Sequence, residues 1–205
     1  MGWVVMTTWV FDVDGVIVTG DSFGVALARE HGISVACLAP FFAGPFGDCL
    51  VGRRDLKTEL AAWLPGWGWP KSTEAFLEFW FSHETQVNEP LLAVVRELRV
   101  QGARCVLGTN QERYRADYLW NELGLRAEFD GLFASGDLGV MKPHAAFYAA
   151  VEVSLGTTQG LCLVDDRLGN VMAARAAGWR AVHYRGPEEI ALLQAEAEAD
   201  LPNQG

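Results

Sequence analysis

The chain of 205 residues is long enough for one domain with a modest insertion, and half of its residues are hydrophobic, so it can bury a sizeable core. Its formal net charge of -10 and the lack of any Lys/Arg run argue against nucleic acid or an anionic membrane surface as the main partner. The four cysteines, Cys37, Cys49, Cys105 and Cys162, have no CxxC or CxxH spacing and read as free thiols of a reducing compartment, which suits a cytoplasmic protein.

Met1 to Phe11 is apolar, but it lacks a basic n-region and is too short to cross a bilayer. Val4 to Phe11 reads instead as a first buried parallel strand that stops at the turn Asp12-Val13-Asp14-Gly15. After a second apolar stretch, Val16 to Val18, the pattern turns helical as far as His83. Asp21 is placed to cap a helix through Glu30 with Gly32 behind it, and Leu64-Pro65-Gly66-Trp67-Gly68-Trp69-Pro70 reads as a loop. Residues 19–86 therefore form an inserted, mainly helical unit between 1–18 and 87–205.

From Pro90 the chain alternates regularly. A helix Leu91 to Val100 ends at Gly102 and is followed by the strand Arg104 to Leu107; a helix Glu112 to Leu123 ends at Gly124 and precedes the strand Leu132 to Ala134. The helix Ala145 to Val153, the strand Leu161 to Val164, the helix Asn170 to Ala177 and the strand Arg180 to Tyr184 continue the pattern, and a final helix is expected from about Pro187 to Ala199. Such alternation predicts an α/β fold, a doubly wound parallel sheet with helices on both faces.

In such sheets ligands bind beyond the carboxyl ends of the strands, so polar residues just after strands are the candidates. Four places qualify: Asp12 and Asp14, Thr109 with Asn110, Lys142 before Pro143, and the pair Asp165-Asp166. Each has an ordinary explanation. Asp and Gly form turns, Thr and Asn cap helices, and a loop lysine is usually solvated. Adjacent acids after a buried strand are harder to dismiss, because they repel unless a cation compensates. Gathered on one sheet edge, the four make a constellation that stability alone does not explain.

Taken in order, these segments resemble the four motifs of the haloacid dehalogenase-like (HAD) hydrolase superfamily. They are Phe11-Asp12-Val13-Asp14-Gly15-Val16, Leu107-Gly108-Thr109-Asn110, Lys142-Pro143 and Val164-Asp165-Asp166-Arg167-Leu168-Gly169-Asn170. The resemblance implies a Rossmann-like core of residues 1–18 and 87–205, with 19–86 as a helical cap. It further implies a Mg²⁺-dependent phosphatase, monomeric or homodimeric, that cleaves a small phosphorylated metabolite through a phospho-aspartate. Asp12 would be the nucleophile and Asp14 the acid and base. Thr109, Asn110 and Lys142 would bind the phosphoryl group. Asp12, Asp14 through its backbone carbonyl, Asp166 and Asp165 would serve the metal, as hard oxygen donors suit Mg²⁺. Family members often carry Asp where Asn170 stands.

Asp14 counts against a dehalogenase, which typically lacks an acid there. The cap lysines Lys57 and Lys71 sit in polar sequence, which counts against a phosphonate-cleaving Schiff-base enzyme. A phosphomutase resembling β-phosphoglucomutase is the alternative reading, and a non-catalytic binding protein that keeps the fold is another. Within the cap, Arg53-Arg54 is the only paired positive charge, which makes Arg53 the expected substrate contact. The Trp67-Gly68-Trp69 turn either stacks on a ligand or packs back on the cap.

Overall fold

The computed structural model describes residues 7–20, 22–186 and 189. Residues 4–6 of the first expected strand, the capping role of Asp21 and nearly all of the final helix expected at 187–199 lie outside the described residues.

The first half consists of β1 (Thr8–Phe11), β2 (Val18–Thr19), the helices α1 (Phe23–His31), α2 (Val35–Ala43), α3 (Phe46–Leu50), α4 (Leu56–Trp67) and α5 (Thr73–His83), and β3 (Gln86–Val87). Alternating elements follow: α6 (Glu89–Val100), β4 (Arg104–Thr109), α7 (Arg113–Asp117), β5 (Leu132–Ala134), α8 (Ser135–Leu138), α9 (Ala145–Leu155), β6 (Leu161–Asp165), α10 (Leu168–Ala176) and β7 (Arg180–His183). The main sheet is parallel in the order β5-β4-β1-β6-β7, so β1, buried along its whole length, lies at its centre.

Both faces of this sheet are covered, and the period of two along each strand assigns side chains to them. Trp9, Phe11, Cys105, Leu107, Cys162 and Val164 point to one face, where α6 supplies Leu91, Val95 and Leu98. Val10, Val106 and Leu163 point to the other and meet Phe147, Tyr148 and Val151 of α9. Gly108 is required where β4 passes β1, because a Cβ there would lie 2.5 Å from a Val10 methyl.

Helices α1 to α5 carry a third, separate core made largely of aromatic rings, in which Phe23 stacks on Trp80 at 4.8 Å. Such ring pairs contribute about 0.5–1.5 kcal/mol each beyond the area they bury. The two strands through which the chain enters and leaves this helical segment pair antiparallel, Thr19 opposite Gln86. Ser22 accepts the Gly24 N–H as the N-cap of α1. Among the described residues no helix is long and apolar enough to cross a membrane.

Two local expectations are corrected. The Pro/Gly/Trp segment is not all loop: α4 continues through Pro65 and Gly66 to Trp67. Buried Leu64 and Trp67 hold the last turn on the aromatic core, and Gly68, left-handed at φ 78°, closes it with its N–H on Leu64 and Pro65 carbonyls. Trp67 and Trp69 are both buried, so the turn packs back on its own helices. The single helix expected from Glu112 to Leu123 is α-helical only over α7 and then becomes a π-helical turn, Tyr118–Glu122. The wider turn lets Leu119 join the sheet core while its neighbour Tyr118 packs on the aromatic one.

Candidate active site

Strand order reverses at β1, since the chain builds outward through β4 and β5 and then crosses to β6 and β7. A crevice therefore opens at the carboxyl ends of β1, β4 and β6. The register pairs Phe11 with both Leu107 and Val164, so Asp12 and Asp165 emerge level with each other and Thr109 follows one residue further along β4. Asp12 is tied down by its own N–H on the Val164 carbonyl at 2.9 Å, and its Oδ1 accepts the Val13 N–H at 2.7 Å.

Lys142 joins this edge from the loop before α9, with its side chain wholly buried. Its Nζ lies 2.6 Å from Asp165 Oδ2 and 3.1 Å from Asp12 Oδ1. Asn110 fixes the loop that carries it: the Asn110 amide donates to the Lys142 carbonyl at 2.9 Å, and the Lys142 N–H donates to Asn110 Oδ1 at 2.8 Å. Asn110 thus grips the backbone of the lysine. Asp165 is also buried and accepts from the Arg167 N–H at 2.8 Å and, through both oxygens, from the Asn170 amide at 3.0 Å. Burial pushes the Asp12 carboxyl well above its ordinary value; Lys142 opposes this and Asp165 adds to it.

Carboxylate oxygens of Asp12, Asp165 and Asp166 all lie within 4.8 Å of one another, a cluster that can hold a metal ion. Asp165 is already supplied with protein donors, whereas Asp166 Oδ1 is buried without any hydrogen-bond partner. Asp166 is packed on the turn at Gly15, where a Cβ would lie 2.5 Å from its Oδ2 and where φ is +78°. Burial, with Asp165 next to it, raises the Asp166 carboxyl above its ordinary value. An orphaned carboxylate oxygen of Asp166 beside two further acids, Asp12 and Asp165, and one ammonium fits a hard divalent cation.

A cavity of about 590 Å³ stands over this floor, lined below by Asp12, Asp14, Thr109, Asn110 and Lys142. Asp14 is exposed to it, with its Oδ2 held by the Gln111 amide at 2.7 Å. Arg53 is not brought to the cavity: it is exposed and paired with Asp48 at 2.7 Å, and Arg54 pairs with Asp48 and Glu59. The cation that does line the cavity from α7 is Arg115, buried and donating to the carbonyls of Phe81 at 3.1 Å and Glu84 at 2.5 Å. Sequence reading passed over Gln111, Glu112 and Arg115 because they follow the Thr109-Asn110 segment inside an ordinary helix start. The Glu112 side chain, accepting from the N–H groups of Tyr114 and Arg115, was the available signal.

Residues 6–178 match the family model described as haloacid dehalogenase-like hydrolase. The chain belongs to that family. This HAD-like hydrolase is similar over 94% of its length to the Protein SUPPRESSOR OF QUENCHING 1, chloroplastic, of Arabidopsis thaliana, at 24% identity, and spans 19% of that protein. It is 33% identical over 100 residues to a sesquiterpene phosphatase of Aspergillus oryzae, covering 45% of this chain and 48% of the relative. The chain thus spans a fifth to a half of the length of these relatives. A HAD family enzyme of Bacteroides thetaiotaomicron, solved with magnesium and inorganic phosphate, shares the fold at a TM-score of 0.76 and 16% identity, over 89% of this chain and 96% of that one. The HAD-like hydrolase is accordingly an enzyme of the Rossmann-like class, with an acidic cluster that can hold a metal at its sheet edge.

Proposed function

We propose that this HAD-like hydrolase is a Mg²⁺-dependent phosphatase that hydrolyses the phosphate monoester of a small phosphorylated metabolite through a covalent phospho-aspartate on Asp12. The observation that carries the reading is the buried Asp12 carboxylate at the cavity floor, 3.1 Å from the Lys142 ammonium. The orphaned Asp166 beside it supports the metal, and the solved relative with magnesium and phosphate and the sesquiterpene phosphatase both favour phosphoryl chemistry.

An Asp12 carboxylate oxygen attacks phosphorus while the bond from phosphorus to the ester oxygen breaks, and Asp14 gives that departing oxygen its proton. Asp14 next takes a proton from the water that attacks the phospho-aspartate, which returns inorganic phosphate and the free Asp12 carboxylate. Lys142 offsets the repulsion between Asp12 and the phosphoryl oxygens, and Thr109 contacts them from the end of β4. Asp165, with Asn170 behind it, keeps the ammonium in place. Asp12, the Asp14 carbonyl and Asp166 would hold Mg²⁺, which when bound neutralises charge on the phosphoryl group. Residues 19–86 serve as a cap, a role supported by their separate aromatic core and the β2–β3 ribbon at their base.

The test is phosphate release from aryl and alkyl monoesters with and without exhaustive chelation, together with a rapid quench of Asp14→Asn on a labelled aryl phosphate. Release should require the divalent ion, and label should persist on the variant because its leaving group needs no proton but its water has no base. Metal-independent release, or a variant that hydrolyses as fast as the parent, would defeat the reading. Isomerisation of a sugar phosphate faster than phosphate release would replace hydrolysis by a mutase reaction.

A further inference from the structure

We infer that the monoester this site takes is that of an apolar alcohol, an amphiphile with a hydrocarbon tail, whose tail lies against the aromatic roof while its phosphate rests on the floor. The inference builds on the phosphatase reading of the floor, and it draws on the other wall of the same cavity.

That wall is formed by Phe23, Leu38, Phe42, Phe46, Leu50 and Trp80. The polar groups next to it are Ser22, Glu84 and Arg115, and each already makes hydrogen bonds within the protein. Ser22 Oγ accepts the Gly24 N–H, and the two Glu84 oxygens accept the Phe23 N–H at 3.1 Å and the Trp80 indole N–H at 3.0 Å. Arg115 gives one N–H from each terminal nitrogen to the Phe81 and Glu84 carbonyls. A sugar moved into this space would bury hydroxyls opposite carbon, leaving donors and acceptors unmatched. A hydrocarbon tail gains there at every carbon. The volume of about 590 Å³ leaves room for a substantial tail above the phosphate.

The mouth of the cavity continues the theme. From Ile33 to Phe46 there is no charged residue, and α2, which supplies Val35, Leu38 and Ala39 to the cavity, buries only Leu38 and Phe41. Val35 is 51% exposed at this rim. An uncharged, solvent-facing helix beside an apolar pocket is unusual for a chain with net charge -10. It gives an amphiphile an apolar path from the surface to the roof.

The experiment is a series of straight-chain alkyl phosphates, ethyl to decyl, used below their micelle concentrations with Mg²⁺, beside glucose 6-phosphate. The ratio kcat/KM should climb about two- to four-fold per methylene until the cavity fills. Decyl phosphate should exceed glucose 6-phosphate by at least about a hundred-fold. Val35→Glu, at an exposed position that tolerates change, should lower the decyl-to-ethyl ratio about ten-fold, and Phe42→Gln should lower it further. Calorimetric binding of the matching alkyl phosphonates, which have no ester oxygen to lose, reads the roof without turnover. Phosphonate binding that strengthens with length while no monoester is hydrolysed would overturn the phosphatase reading alone. Hydrolysis and phosphonate binding both indifferent to chain length would overturn the apolar tail and leave the phosphatase standing.

Discussion

The two walls of the cavity are built on opposite principles. On the floor, nearly every polar atom has a named partner: Lys142 between Asp12 and Asp165, Asn170 and the Arg167 N–H on Asp165, Asn110 on the lysine backbone, Gln111 on Asp14. Directional bonds in a buried setting hold atoms to tenths of an ångström, and removing one partner strands another. The roof is a raft of aromatic rings held by area and ring-on-ring contact, which set shape and polarity but no single direction. On the proposed function the floor would set which bond breaks, and the roof what can be attached to it.

The comparison can be broken first at the floor. Asp12→Asn is nearly isosteric, yet an amide is a very poor nucleophile, so kcat should fall at least about a thousand-fold while the circular dichroism spectrum stays that of the parent. Since burial outweighs Lys142 in setting the Asp12 carboxyl, the melting temperature should not drop. Appreciable steady-state turnover would remove Asp12 from the chemistry.

Lys142→Ala acts on both activity and stability. It leaves the Asp12 and Asp165 carboxylates facing each other without their cation, and loss of one partner from a buried ion pair costs about 3–5 kcal/mol. Urea denaturation should register that loss, and adding Asp165→Asn should recover part of it. A fully additive double variant would mean that the two side chains do not act together.

The seam between the walls responds to pH. Glu112 caps α7, the helix that carries Arg115, and burial pushes its carboxyl from an ordinary 4.5 up to about 7. The folded chain keeps this proton where the unfolded chain has lost it. The stability it contributes is complete below about pH 4.5 and is lost as pH rises to about 7. Glu112→Gln cannot ionise; its one oxygen can accept the Arg115 N–H, while the Tyr114 N–H loses its acceptor. Relative to the parent, the variant should fare better at pH 8 than at pH 4 by on the order of 1–3 kcal/mol in thermal melts, with the lost cap costing the same at both. An equal shift at both pH values would place the Glu112 proton elsewhere.

The smallest effect is expected outside both walls. Arg53 pairs with Asp48 in solvent, so Arg53→Ala should leave kcat and KM unchanged and stability within about 0.5 kcal/mol. A several-fold change in KM for the best substrate would restore the substrate contact expected from the sequence.

The floor was legible in the sequence because it is local. Three of the four segments directly follow an apolar strand, and a parallel sheet brings the ends of its strands together whatever the helices between them do; Lys142 reaches the same edge from the loop before α9. Asp12, Thr109, Lys142 and Asp165 could thus be grouped from four short segments spread over the chain. The expectation at Arg53-Arg54 went astray for the same reason in reverse. A paired charge in a helical region carries no information about which face it occupies, and Asp48, five residues away, claims it on the surface.

By itself the sequence determined the alternation of strands and helices and the residue types on the sheet edge, since periodicity and turn chemistry are written in neighbouring residues. Tertiary structure alone decided three things. Arg115, not Arg53, became the cavity's cation from the helical side; Asp166, not Asp165, kept an unpartnered oxygen; and the aromatics of α1, α2 and α5 turned one wall of the cavity apolar. Each depends on which residues from distant elements meet and use up one another's hydrogen-bonding capacity. That is a property of packing, and no spacing along a single strand or helix encodes it.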